Sequence, residues 1–460
     1  MNKYLKKLYS TSPIWFQNVM ISQYGKKLYK QRYGEIYQRE LKKNLEKDYS
    51  DFEKEQKYQN QELRKFISYA VKNSIFYKRF YKGIDISKVQ TVNDLHLLPI
   101  LDKETFRKNI EDIYTIPERG SKVSFTGGTT GKAIKVFFTI EDAQKRMAYL
   151  DAFKFRLGID PFKMKKATFS GKEYTNDANS KKKNIFWRHN STYNQRLYST
   201  FDLSEENIPY YIKDLNQYKP EVLNGFVSAY YELAKFIESR NSKLEFVPKA
   251  IFTTSETLLP FHREIIERVF KAKIYNQYAS GEGACFITEC IDNNLHYNLD
   301  TGVIEKYATQ FGDEMLITSF SSHGTPLIRY RIGDKITFLE GECTCGSSHP
   351  IVGNIEGRQV DFLFSTERGK ISLSHLADVI KGMPNNIVNM QFVQYNMEEI
   401  TIKLVVDKDL YKVEDEKLIF KEMIFRFGKQ TKVKIEYVDE IKREKSGKFA
   451  LIKNLIKEQN

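Results

Sequence analysis

Cysteine is scarce in this sequence, with four residues in a chain of 460. So few cannot build the disulfide framework of a small secreted scaffold. No uninterrupted apolar run is long enough to cross a bilayer as a helix. The first residues include lysines but no apolar stretch ahead of a small-residue cleavage site. The expectation is a cytoplasmic protein without membrane insertion. Internal repeats and low-complexity segments are also missing, which excludes solenoids and arrays. A clean basic stripe is lacking too. The net charge is +14, yet acids interleave with lysines, as in Glu53-Lys54-Glu55. That pattern describes a solvated lysine-rich surface better than a nucleic-acid face.

What is present is a large core. Hydrophobic residues make up 41% of the chain, and the length exceeds the usual size of one domain, so two or more are expected. Residues 1–50 read as amphipathic helices in which Trp15, Phe16, Val19, Met20 and Ile21 recur at helical spacing. Such a helix either lies on a membrane or packs on the body of a domain; its mixed polar face favours the second. The polar run Asp48–Gln61 is expected as a solvated turn or helix, and Leu63–Tyr81 as one helix. From 158 to 278, short β-rich runs alternate with helices, including 208–218, 229–240 and 259–270. That rhythm implies parallel strands joined by crossover helices, with ligands beyond the carboxyl ends of strands. Residues 297–345 read as β structure of mixed pairing. After Gly357 the character changes to a small α+β mixture, with a helix over 372–380.

One loop stands out: Ser124-Phe125-Thr126-Gly127-Gly128-Thr129-Thr130-Gly131-Lys132, between two β-rich runs. Glycines let a backbone approach a phosphate closely, and backbone N–H groups, hydroxyls and an ammonium complete an anion cradle. It is not a Walker loop. Thr126 stands where the first glycine belongs, Ala133 replaces the magnesium-binding hydroxyl, and a strand rather than a helix follows. A plain glycine-rich hairpin is the alternative.

Four further stretches follow in order. Tyr278-Ala279-Ser280-Gly281-Glu282-Gly283, Tyr330-Arg331-Ile332-Gly333-Asp334, Gly357-Arg358-Gln359-Val360-Asp361 and Ser446-Gly447-Lys448 join the loop in a set. That set resembles the adenylate-forming superfamily and, within it, the phenylacetate–CoA ligase family. The N-terminal stretches around Gln17–Gly25 and Arg32-Tyr33-Gly34 are similar to its capsular-polysaccharide-biosynthesis branch.

The resemblance implies an α/β fold: a large domain over 1–357 with mixed sheets and a β subdomain, a hinge at 358–362, and a small mobile α+β lid over 363–460. It implies an ATP-dependent, AMP-forming ligase that adenylates a small carboxylic acid. The acyl group then passes to CoA, or to an amine or hydroxyl acceptor in surface-polysaccharide synthesis. Ser124, Thr126, Gly127, Gly128, Thr129, Thr130, Gly131 and Lys132 would hold phosphates. Ser255, Glu256, Tyr278 and Ser280 would lie about the nucleotide. Asp334 would take the ribose hydroxyls, and Arg358 the ribose or phosphate. Glu282 would bind Mg2+, and Lys448 would bridge the attacking carboxylate and the α-phosphate. The family carries an acidic residue two after the hinge arginine; here that position is Val360, and Asp361 follows. The rival class is a basic polyanion-binding module with a degenerate nucleotide site.

Cys290, His296, Cys343 and Cys345 offer three thiols and an imidazole, a ligand set suited to structural zinc. Some members of the branch that this chain resembles carry a zinc at such a pattern. His349 can stand in for His296, and Cys285 is left over. Buried unliganded cysteines with a surface histidine form the other reading.

Overall fold

The computed structural model describes residues 3–125, 134–172, 174–175, 177–309, 312–356, 362–367, 369–372, 376, 379–380, 383, 387–408, 411–412, 414–444 and 449–456. The chain divides into two compact units. The first is built from 1–23, 164–274 and 357–460, and the second from 24–163 and 275–356.

In the first unit, six strands lie side by side in the order Trp187–Asn190, Gln195–Ser199, Lys166–Ser170, Val222–Gly225, Ala250–Thr253 and Ile274–Tyr275. Lys166–Ser170 runs parallel to both its neighbours, Val222–Gly225 runs parallel to Ala250–Thr253, and Trp187–Asn190 is antiparallel at the edge. Helices Ile208–Tyr218, Val227–Ser239 and Pro260–Phe270 supply the crossovers. Their apolar faces meet the sheet in a core that includes Phe169, Leu215, Leu223, Leu233, Ile251 and Ile266. Gly225 closes its strand at φ +146, where a Cβ would stand 2.2 Å from the Phe169 carbonyl oxygen. Only glycine permits that approach, and the next helix starts two residues later.

The C-terminal stretch of this unit has a core of its own, with Leu363, Met390, Phe392, Ile402, Leu404, Ile419, Met423 and Phe427 buried together. Its four strands lie in the order Lys432–Tyr437, Glu399–Val406, Ile387–Gln394 and Ile452–Asn454, beside the helix Glu414–Phe427. The helix expected over 372–380 falls largely outside the described residues, as do 357–361.

The second unit holds a seven-stranded sheet in the order Gly302–Thr309, Gly312–Ser319, Tyr330–Leu339, Ile351–Glu356, Leu295–Tyr297, Ile287–Glu289 and Gln277–Tyr278. The expected mixed pairing gives way to an antiparallel arrangement between its named strands, with one isolated parallel bridge from Leu101 to Tyr330. Between strands adjacent in the chain, short connections explain it, since parallel neighbours need long crossovers; Leu295–Tyr297 and Ile351–Glu356 pair from distant stretches. The helix Phe52–Asn73 buries Leu63, Phe66, Ile67 and Ala70 in this unit's core. It starts within the run taken as polar, capped by Asp51, whose carboxylate accepts from the Lys54 N–H at 3.0 Å. It ends at Asn73, and Ser74 caps a separate short helix, Ile75–Phe80. Glu55 and Gln59 are buried rather than solvated. Gln59 Nε2 donates to Tyr297 Oη at 2.8 Å and to the Gly302 carbonyl at 2.7 Å.

Candidate functional site

In the second unit, strand Lys122–Phe125 pairs antiparallel with Lys135–Phe138, placing Ser124 opposite Val136. The loop between them is the candidate phosphate cradle. Ser124 is described; Thr126, Gly127, Gly128, Thr129, Thr130, Gly131 and Lys132 lie outside the described residues. The rim of that loop meets the second motif. A Cβ on Gly281 would stand 3.1 Å from the Phe125 carbonyl oxygen and 3.7 Å from Ser124 Oγ. A larger residue would push the two segments apart. Ser280 shapes the turn by accepting from the Ala284 N–H at 3.1 Å. Glu282 is buried in the same turn.

The third motif joins the second through a hydrogen bond. Tyr278 Oη donates to Asp334 Oδ2 at 2.6 Å. Asp334 sits on strand Tyr330–Leu339 just after Gly333, whose φ is +86. Arg331 of that motif is held elsewhere, against Glu314 at 2.6 and 3.1 Å. Three motifs separated by some 200 residues of chain thus meet in one unit, while Arg358 and Lys448 lie outside the described residues.

In the first unit, Ser255 and Glu256 follow the carboxyl end of strand Ala250–Thr253. Ser255 is exposed and holds φ +69, a left-handed conformation that costs a serine energy. The Glu256 carboxylate accepts from the Ser228 N–H at 2.8 Å and the Ser228 hydroxyl at 3.0 Å, at the start of helix Val227–Ser239. A carboxylate there satisfies an orphan N–H and the helix dipole. Its Oε1 also accepts from the Phe449 N–H at 3.0 Å. Arg443 donates to Ser228 Oγ at 2.9 Å and to Glu232 Oε1 at 2.7 Å. Burial pushes both Glu232 and Glu256 up, with Arg443 pulling against it. Farther along the helix, Lys235 donates to the Ile387 carbonyl, and burial holds its ammonium down at about 8. The segments on either side of Lys448 are therefore fastened to residues beside the strand end that carries Ser255. Sequence reasoning missed Ser228, Glu232 and Arg443. The spacing of 228, 232 and 235 on one helical face was the available signal.

The four candidate metal ligands converge in the second unit. Their ligand atoms all lie within 4.8 Å of one another. Cys290 closes the strand Ile287–Glu289, and His296 lies on the next, Leu295–Tyr297. That strand pairs with Ile351–Glu356, His296 opposite Ile351, so the turn carrying Cys343 and Cys345 reaches the same end of the sheet. Cys290 Sγ is 3.7 Å from Cys343 Sγ, and Cys345 Sγ is 3.5 Å from His296 Nε2. A tetrahedral zinc with ordinary bond lengths asks for edges of about 3.8 and 3.6 Å. His296 Nδ1 bonds the His349 carbonyl at 2.9 Å, which leaves Nε2 to face the thiols. His349 thus orients the ligand rather than replacing it, and burial lowers its own imidazole to about 4. Burial opposes ionisation of Cys343, but the Cys345 N–H, Asn294, Cys345 and His296 outweigh it and bring the thiol to about 6. Asn294 Nδ2 stands 3.2 Å from that sulfur. Cys285 is apart, buried in the core with its thiol raised to about 12.

Comparison with known proteins adds to this geometry. Residues 363–455 match the family described as the CapK C-terminal domain. The chain is 37% identical to protein CapK of Staphylococcus aureus over 458 residues, 98% of this chain and all of that one. It is 22% identical to the phenylacetate-coenzyme A ligase of Thermus thermophilus, over 81% of this chain and 86% of that one. Among solved structures, 2-hydroxyisobutyryl-CoA ligase in its postadenylation state, in complex with R3-HIB-AMP, matches with a TM-score of 0.70 at 16% identity. The match covers 88% of this chain and 91% of that one. At that identity the likeness is one of fold.

Proposed function

The chain belongs to the CapK family, with the fold of adenylate-forming ligases, and from that premise we propose that it activates a small carboxylic acid with ATP. In the first half-reaction a carboxylate oxygen attacks the α-phosphorus, the new O–P bond forms, and the bond to pyrophosphate breaks. In the second, a thiol takes the acyl group and AMP leaves; CoA is the simplest acceptor. The observation that carries this reading is the meeting of Ser124, Gly281, Tyr278 and Asp334 in one unit.

The roles follow from charge and reach. Ser124 with Thr126–Lys132 holds the departing phosphates, so that their charge develops against fixed donors. Asp334, oriented by Tyr278, accepts from the ribose hydroxyls, and Arg358 adds a cation from the hinge. Ser255, Glu256 and Ser280 border the nucleotide. Lys448, on a lid over 363–460 hinged at 358–362, bridges the attacking carboxylate and the α-phosphate. Glu282 supplies the hard oxygen donor that Mg2+ prefers, and the ion, when bound, neutralises phosphate charge. Cys290, His296, Cys343 and Cys345 hold a structural zinc; four protein ligands leave no open position.

A second reading keeps adenylation and changes the acceptor to an amine or hydroxyl in surface-polysaccharide synthesis. The resemblance of the stretches around Gln17–Gly25 and Arg32-Tyr33-Gly34 to the capsular-polysaccharide-biosynthesis branch supports it. One experiment tests both. Exchange of labelled pyrophosphate into ATP is screened across aliphatic, aromatic, amino and uronic acids, then AMP release is measured with and without CoA. Exchange with one acid class supports adenylation. CoA-dependent AMP release selects the thiol, and its absence alongside robust exchange selects the other acceptors. A chain that catalyses no exchange with any acid overturns both.

A further inference from the structure

The first two helices, Lys3–Thr11 and Ile14–Arg32, are built inside out. An ordinary surface helix buries its apolar stripe and shows water its polar face. Here the fully buried side chain is polar, while Ile14, Phe16, Met20 and Ile21 are only partly buried. Gln17 is fully buried, and its Oε1 accepts from Arg188 Nε at 2.7 Å while its Nε2 donates to the Ser12 carbonyl at 2.9 Å. Asn18 Oδ1 accepts from the His189 N–H at 2.9 Å, and the Ser22 carbonyl accepts from Thr192 Oγ1 at 2.8 Å. Tyr9 Oη donates to the Tyr174 carbonyl at 2.7 Å. The helices are thus fixed by hydrogen bonds, and the outward side is apolar. Leu5 is 48% exposed, Leu8 49%, Trp15 67% and Val19 45%. Burial drives the opposite arrangement unless something else covers that face.

Charge identifies the cover. Residues 1–34 contain seven lysines and arginines and no aspartate or glutamate; the first acid is Glu35. Elsewhere acids interleave with lysines, with 59 acidic residues in all. Exclusion of carboxylates from this one stretch suits contact with a negatively charged surface. Leucine, valine and tryptophan among lysines are the side chains that settle at a lipid headgroup boundary. We infer that the Leu5–Leu8–Trp15–Val19 face lies on an anionic phospholipid bilayer and holds the protein there as a peripheral, not a spanning, protein. The sequence favours packing on a domain over lying on a membrane for this stretch; the packing is present through the polar side, and the membrane contact added through the exposed apolar side, without insertion, departs from that expectation.

The test floats the full chain with vesicles of phosphatidylcholine alone and of phosphatidylcholine with phosphatidylglycerol at 3:1. The expected result is binding to the anionic vesicles, at least tenfold weaker on neutral ones and severalfold weaker in high salt. The double variant Leu8→Glu/Trp15→Glu should lose at least tenfold of that binding with its melting curve unchanged. A Trp187→Phe variant leaves Trp15 as the sole tryptophan; its emission should shift to the blue on anionic vesicles. Failure of the native chain to bind anionic vesicles overturns the inference, as does native-like binding by a folded double variant or an unshifted Trp15 spectrum. A vesicle-independent dimer that the double substitution dissolves would assign the face to a second copy and overturn it as well.

Discussion

His296 shows how much one carbonyl decides. Its Nδ1 is taken by the backbone of His349 at 2.9 Å, so only Nε2 can meet a metal. Spacing alone left two histidines as candidates, because which backbone oxygen orients which ring depends on the fold. The thiol side has a similar helper in Asn294, whose amide stands against Cys343 Sγ. Three outcomes follow. The purified chain should carry one zinc per molecule by elemental analysis, and Cys343→Ser should remove it. Asn294→Leu should keep all four ligands yet weaken zinc by about 10–100-fold in a competitive chelator titration, as loss of an outer partner does at other sites. An unchanged zinc affinity in that variant would mean that the amide plays no part. Acidification should release the metal as thiolates protonate.

At the scale of elements, one face of the helix Val227–Ser239 receives the C-terminal stretch. Ser228, Glu232 and Lys235 take Arg443 and the Ile387 carbonyl, and Tyr231 joins an apolar patch with Leu259, Phe261 and Leu451. Breaking a buried ion pair by removing one partner costs about 3–5 kcal/mol, whereas replacing both by apolar groups costs little. Arg443→Met should therefore loosen this docking, read as cleavage near 358–362 at least tenfold faster in limited proteolysis. Glu232→Leu added to it should restore most of the protection. Equal cleavage rates in native chain and single variant would show that the pair contributes nothing to docking. Much of this element was legible: the helix 208–218 and the strand–turn at 222–226 stand in the structure where periodicity and Gly225 put them. The start of helix Phe52–Asn73 was not. Glu55 and Gln59 read as solvated, and only partners more than 200 residues away, Tyr297 and Gly302, make Gln59 a buried residue. Glu256 was legible as a polar residue at a strand end. Its bond to the Phe449 N–H joins positions 193 apart, which no local pattern reports.

For the whole molecule, the proposed chemistry depends on one residue near the far end of the chain. Arg443 and Phe449 are held beside Glu256, and both lie within five residues of Lys448. Under the proposed role, the Lys448 ammonium would compensate charge while the carboxylate attacks phosphorus and would have no such work when the acyl group leaves AMP. Losing one donor aimed at developing charge costs about 10²–10³ in rate. Lys448→Ala should thus lower pyrophosphate exchange by about that factor. Transfer of the acyl group from a synthetic acyl-adenylate to the acceptor should stay within about threefold of the native rate, a margin of roughly 0.7 kcal/mol. The split between half-reactions is what distinguishes a charge-bridging lysine from a merely structural one, because a disturbed fold slows both. Equal losses in the two assays would assign Lys448 to structure, and an intact exchange rate would remove it from the mechanism.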